Sequence, residues 1–188
     1  AIGYMIKTYV IDTNVLIQAP YAIECFEENN LVLPLVVLEE LDGLKKAEGE
    51  KGANARAAVR KLESYRQKGD LLQGVKLPGG GILRIEKNFV QVELPQDIPD
   101  DKPDNRILKV CKGLAETEKE GQVILVTKDI VLRLKAQILG IRAEDFERER
   151  ISEDDAQYTG RTEIYFPEEK VKEFKKKGIP LTDAYQSD

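Results

Sequence analysis

The 188-residue chain contains no histidine at all. That one absence removes imidazole acid–base catalysis, Ser-His and Cys-His nucleophile pairs, and His-ligated zinc. Cysteine is almost as scarce. Cys25 and Cys111 stand far apart in sequence, so neither a disulfide framework nor a CxxC metal or redox site is built from them. They read as buried, reduced thiols of a cytoplasmic protein. No stretch approaches the 18 or so apolar residues that a membrane-spanning helix needs, and the start does not have the layout of a signal peptide. Met5 is a candidate natural first residue. The chain has no GxxxxGK[ST] and no GxGxxG after a strand, which leaves the usual phosphate-cradling nucleotide sites without support. Gly79-Gly80-Gly81 fits neither pattern and reads as the entry to a hairpin. No internal repeat or low-complexity tract is present.

What the chain does have is charge and short apolar runs. Charged residues make up 34% and apolar residues 41%, with a net charge of −5. The length suits one domain with a substantial core. If such a chain is a catalyst, carboxylates and oxygen-seeking cations such as Mg²⁺ or Mn²⁺ are its natural means.

The apolar runs alternate with helical patterns. Tyr9-Val10-Ile11 reads as a buried strand that ends abruptly at Asp12, before a helix from Val15 to Ala19. If the backbone stays extended there, Asp12 and Asn14 face the same side and Thr13 the other. Tyr21 to Asn29 reads as a short helix, and Leu31 to Val37 as a second apolar run that ends in Glu39-Glu40-Leu41-Asp42 at a helix start. A helix follows from Ala53 to Lys68, with Ala58, Leu62 and Tyr65 on its core face. Leu83 to Ile85 and Phe89 to Leu94 alternate with period two around Glu86-Lys87-Asn88. That pattern predicts a β-hairpin inserted at about residues 79–96, outside the main sheet. Ile107, Leu108, Cys111, Leu114 and Ala115 mark the core stripe of a helix whose mouth carries Asp104. Gln122 to Thr127 is nearly all apolar, as central parallel strands are. Lys128-Asp129 follows, then a helix from Ile130 to Leu139 stopped by Gly140. Ile141 to Ala143 closes the alternating part as a short strand. Beyond residue 151 the composition turns polar: 152–161 irregular, a strand within 162–166, a charged helix over 168–177 and a frayed end. The domain boundary is therefore expected at 1–151 and 152–188.

Strand–helix alternation of this kind predicts parallel βαβ units with helices on both faces of one sheet, an α/β fold in three layers. Asp12, Glu40, Asp104 and Asp129 all fall where a strand has ended or a helix begins, points that such a fold brings to one sheet edge. Each has an ordinary explanation as a helix cap or first-turn acid. Together they crowd like charges, which a bound divalent cation relieves.

The ordered set Ile11-Asp12-Thr13-Asn14, Val37-Leu38-Glu39-Glu40-Leu41, Asp104-Asn105-Arg106-Ile107-Leu108 and Val126-Thr127-Lys128-Asp129 resembles the PIN-domain ribonucleases. The resemblance runs over residues 8 to about 146. It implies a three-layer α/β/α fold with a central, mainly parallel sheet, and cleavage of single-stranded RNA with Mg²⁺ or Mn²⁺. By the same resemblance Asp12, Glu40, Asp104 and Asp129 are the catalytic, metal-binding acids, with Asn14 and Thr127 as supporting polar groups. Glu40 is chosen over Glu39 because it directly precedes the apolar Leu41, as the family's acid does. The Gly-rich insertion and the tail resemble the PIN domain that precedes an ATPase domain in PhoH-like proteins. That implies a PhoH-like ATPase domain as a partner in a longer chain of which this sequence is one part. A homo-oligomer is a further expected partner state, and a membrane is not. Two other readings compete. One is a PIN-like module that binds RNA or docks protein without cutting. The other is a phosphatase with a nucleophilic Asp on the first strand, which calls for a second Asp where this chain has Asn14.

Positive charge is concentrated in one segment. Residues 45–68 hold eight Lys/Arg against three Glu, a local +5 in a chain of −5. Lys45, Lys46, Lys51, Arg56 and Arg60 are the candidate contacts to an RNA backbone. Arg56 and Arg60 share one helix face, and a solvated helix face is the plain alternative.

Overall fold

The computed structural model describes residues 5–118 and 121–147, and the strand Glu163–Tyr165. Seven strands form one sheet: β1 (Thr8–Ile11), β2 (Asn30–Pro34), β3 (Val75–Lys76), β4 (Ile82–Glu86), β5 (Val123–Val126), β6 (Arg142–Glu147) and β7 (Glu163–Tyr165). Their spatial order is β3-β4-β2-β1-β5-β6-β7. Every pairing is parallel except β3 with β4. Among the described residues, five α-helices lie between them: α1 (Thr13–Gln18), α2 (Leu35–Leu44), α3 (Gly49–Arg66), α4 (Pro103–Thr117) and α5 (Ile130–Ile138), with a 3₁₀ turn at Pro20–Glu24. Helices and a mainly parallel sheet give the three-layer α/β/α arrangement that the alternation predicted.

The central strands explain the arrangement. Val10, Ile11, Val32, Leu33, Ile124, Leu125 and Val126 are all fully buried. A parallel strand covered by helices on both faces has no solvent side, so its sequence is a continuous apolar run rather than an alternating one. Each such side chain contributes about 1.5–3 kcal/mol on burial. β1 and β5 lie abreast with Ile11 opposite Val126. Their continuations, Asp12 and Thr127, therefore emerge side by side at the carboxyl edge.

The segment 83–94 departs from its expected form. β4 is an interior strand of the main sheet, parallel to β2 with Leu33 opposite Ile85. Its antiparallel partner is β3, and Gly79–Gly81 is the turn between them, closed by Leu77 N–H donating to Gly81 O at 2.8 Å. Residues 87–94 form no strand. Phe89 takes φ +49°, which breaks the extension, and the chain becomes a strap laid against α4. Phe89 sits on Gly113, where a Cβ would meet the ring at 2.2 Å. Lys112 donates to Glu93 O at 2.6 Å and Asn105 to Pro99 O at 2.7 Å. The period-two alternation of 89–94 thus reflects a strap burying Val92 and part of Leu94.

Smaller departures are local. The helix expected over Tyr21–Asn29 is the 3₁₀ turn, and Ala115 is exposed rather than part of the α4 stripe. Glu163–Tyr165 is a strand, as expected of 162–166. The boundary at 151/152 and the elements expected over 152–161, 168–177 and the C-terminus lie outside the described residues. Among the described residues, no helix is long and apolar enough to cross a membrane.

Candidate functional site

Asp12 is the N-cap residue of α1 by position, yet its side chain makes no capping hydrogen bond. It is 2% exposed. Its Oδ2 accepts instead from the Thr127 hydroxyl at 2.8 Å. Thr127 is held in turn, because its N–H donates to Glu144 O and its Oγ1 accepts from the Asp129 N–H at 3.1 Å. The Asp12 carboxyl is therefore fixed by the neighbouring strand rather than by its own helix.

Burial pushes Asp12 from an ordinary 3.8 up to about 6; the Thr127 bond opposes the shift, and the charges of Asp104 and Glu40 add to it. Glu40 is also raised, chiefly by partial burial, against the bond from Thr13 and with a contribution from Asp104. Asp12, Glu40 and Asp104 are thus electrostatic neighbours. They reach this place from β1, from the middle of α2 and from the first turn of α4.

Several expectations change here. α2 begins at Leu35, so Glu40 is a mid-helix residue and not a first-turn acid. Glu39 is exposed while Glu40 is half-buried. α1 begins at Thr13, so the extended backbone stops at Asp12 and residues 13–14 are helical. Asn14 is exposed on α1, and it is Thr13 that turns inward, its hydroxyl donating to Glu40 Oε1 at 2.6 Å. Thr13 was legible only to a reading that started the helix directly after Asp12.

Asp129 differs most. Its Oδ1 accepts from the N–H groups of Val131 and Leu132, at 2.8 and 3.3 Å, so it is a working N-cap of α5. The four acids do not close into one cluster. Among the described residues, no group of three His, Cys, Asp or Glu side chains is placed to hold a metal ion. Two basic side chains that follow β5, Lys128 and Arg133, are occupied. Lys128 and Arg133 both reach Asp145, at 3.4 and 3.5 Å, and Arg133 also donates to Thr127 O.

A family model described as PIN domain matches residues 9–147. The chain belongs to the PIN-domain family. Protein PhoH2 of Bacillus subtilis (strain 168) is 44% identical over 188 residues, covering 97% of this chain and 42% of that protein. Protein PhoH2 of Thermobispora bispora is 35% identical over 181 residues, covering 95% and 40%. Protein PhoH2 of Mycolicibacterium smegmatis is 38% identical over 162 residues, covering 85% and 36%. The chain therefore spans less than half the length of the curated relatives it matches. The PIN domain is a nuclease-type fold, and its nucleases generally use divalent metals.

The donor set of this PIN domain suits such an ion in kind. Asp12, Glu40 and Asp104 offer only oxygen, and they carry an excess of negative charge in a partly buried place. Mg²⁺ commonly takes one or two carboxylates and completes its shell with water, so a closed three-acid cage is not required.

The basic segment is less available than its composition implied. Lys45 pairs with Asp42 at 2.7 Å. Arg56 reaches back along the PIN domain's α2–α3 connection, donating to Lys45 O at 2.7 Å and Ala47 O at 3.3 Å. Lys46, Lys51 and Arg60 are exposed.

Proposed function

We propose that this PIN domain is a divalent-metal-dependent endoribonuclease that cleaves phosphodiester bonds of single-stranded RNA. In this reading it works in the cytoplasm as the nuclease part, residues 1–151, of a longer PhoH-like protein with an ATPase domain. The observation that carries it is Asp12. A buried carboxylate that caps nothing, under the influence of two more acids, costs stability and is retained at the edge where α/β sheets bind ligands. Asp12, Glu40 and Asp104, with Asp129 at the rim, would hold Mg²⁺ or Mn²⁺. When bound, such an ion neutralises phosphate charge and acidifies water.

The chain's own groups orient the site. Thr127 fixes the rotamer of Asp12, and Thr13 fixes that of Glu40. Asp129 holds the first turn of α5 against the same edge, with its second oxygen left over from capping. Asn14, exposed beside Asp12, and the cations Lys45, Lys46, Lys51, Arg56 and Arg60 are the polar groups through which RNA would be met. The test is cleavage of a short single-stranded RNA by purified protein, with Mn²⁺, Mg²⁺ or chelator, beside the Asp12→Asn variant. Metal-dependent cutting that Asp12→Asn abolishes is the expected result. Cutting in chelator, or an active Asp12→Asn variant, overturns it.

A second reading, a PIN-like module that binds RNA or docks protein without cutting it, is favoured by one observation. The acids are not gathered around a single point among the described residues. RNA binding without turnover under every metal condition would select it.

A further inference from the structure

α4 and α5 both begin at the carboxyl edge, and a hydrogen bond between Asn105 and Lys135 joins them there. Asn105, next to Asp104 in the first turn of α4, is 1% exposed. Its Nδ2 donates to Pro99 O in the strap, and its Oδ1 accepts from Lys135 Nζ of α5 at 2.9 Å. Side chains on a helix lean toward its N-terminus. The Lys135 stem therefore runs up α5 toward Asp129 and delivers its ammonium beside the turn that carries Asp104.

The charge of Lys135 is not neutralised in the way its neighbours' charges are. Lys109 is paired with Asp100 at 2.6 Å, and Lys128 and Arg133 share Asp145. Half-buried Lys135 has a neutral amide as its partner and no carboxylate within 4.0 Å among the described residues. An ammonium has three N–H donors, and the amide takes one. A cation kept off the adjacent acids, with donor capacity in reserve, is arranged to meet an anion that arrives from outside.

We propose that Lys135 contacts a backbone phosphate of RNA at the mouth of the acidic edge, and that Asn105 is the positioning residue that keeps its ammonium clear of Asp104. This rests on the proposed function only in taking RNA as the ligand. It assigns to α5 a contact separate from the basic segment of 45–60. A purely structural brace between α4 and α5 is the competing account, and the two differ in charge dependence.

The experiment uses protein silenced by Asp12→Asn and a short single-stranded RNA, with affinity measured at several salt concentrations. Lys135→Met keeps the apolar stem and removes the charge. It should weaken binding and flatten the slope of log affinity against log salt by about 0.7, the loss of one phosphate contact on a single strand. Lys135→Arg should restore the slope. Asn105→Ala leaves the ammonium but no longer holds it clear of Asp104, so its slope should flatten by less than that of Lys135→Met. It also serves if Lys135→Met fails to fold, because a mere brace predicts the same loss from either side. An unchanged slope in Lys135→Met, or an equal loss in Asn105→Ala, overturns the proposal while leaving RNA binding intact. A parent that binds no RNA even at low salt overturns this and the nuclease reading together. A flattened slope in a chain whose unsilenced form never cuts RNA supports Lys135 and removes only the nuclease.

Discussion

Asp12 and Asp129 occupy equivalent places in the fold and do different work. Each follows a buried parallel strand, β1 or β5, each precedes a helix, and the two strands are neighbours. Asp129 caps its helix with Oδ1, as a strand-to-helix aspartate ordinarily does. Asp12 caps nothing, is almost completely buried, and takes its hydrogen bond from Thr127 across the strand boundary. An acid used for capping is explained by local structure. An acid withheld from its helix and forced to lose solvent is not, and that difference is the clearest functional signal in the molecule.

Rate is where the two should separate most. Asp12→Asn keeps the shape of the side chain and its acceptor for Thr127 but loses the charge. Cleavage of single-stranded RNA should fall by at least roughly 10²–10³-fold, the scale of removing one group that stabilises a transition state. Asp129→Asn keeps the cap and loses a charge at the rim, so its loss should be smaller. Equal losses would break the comparison by making Asp129 as central as Asp12.

The pH dependence of stability should separate them next. In metal-free protein the folded Asp12 carboxyl titrates near 6 against an ordinary 3.8. A raised acid favours the protonated form in the folded state. Its favourable contribution is therefore complete below about pH 4 and lost as pH rises through about 6. Roughly two pK units correspond to about 3 kcal/mol. Denaturant unfolding in chelator should show Asp12→Asn gaining stability over the parent by an amount that grows from pH 5 to 7.5. Glu40 is raised too and works in the same direction. A gain that does not change with pH would contradict the burial argument.

Thr127→Val tests the bond that makes Asp12 different. It leaves volume nearly unchanged and removes the donor to Oδ2. A hydrogen bond to a charged group is worth about 1.5–3 kcal/mol, so stability at neutral pH should fall by about that amount. Because the Thr127 bond is what holds the Asp12 carboxyl down, the acid limb of the pH–stability curve should move upward. A loss of stability without that movement would reduce Thr127 to packing.

The same contrast shows what could be read without coordinates. The strands were legible because buried parallel strands have to be continuously apolar, as Val123 to Val126 are. Asp12 was legible because an apolar run cannot end in an acid without a reason. The segment 83–94 misled because alternation only says that every second side chain finds an apolar surface. A strap against α4 provides that as well as a hairpin does, and what decides between them is Phe89 at positive φ over Gly113. Thr13 and Glu40 were placed wrongly for a single reason. The sequence pattern starts these helices at Val15 and Glu39, whereas α1 and α2 begin two and four residues earlier, at Thr13 and Leu35. The basic segment is a different case, since composition counts charges and not their partners. Arg56 is used on the carbonyls of its own connection, and Lys45 on Asp42.

The smallest expected effect bears on the cap itself. Asp129→Ala removes the acceptor for Val131 and Leu132 and should cost about 1 kcal/mol of stability, whereas Asp129→Asn should cost almost nothing, because asparagine caps as well as aspartate. The equivalent pair at Asp12 should run the other way in chelator. Asp12→Asn stabilises by removing a buried charge, and Asp12→Ala recovers less because it leaves the Thr127 hydroxyl without its acceptor. Thermal melts of the four variants with and without Mn²⁺ make this a closed test. If Mn²⁺ raises the melting temperature of the parent and of Asp129→Asn but not of Asp12→Asn, the ion is held on the acid that its helix does not use. If all three respond alike, the charge at the β1 tip has no share in holding it, and the burial of Asp12 needs another cause.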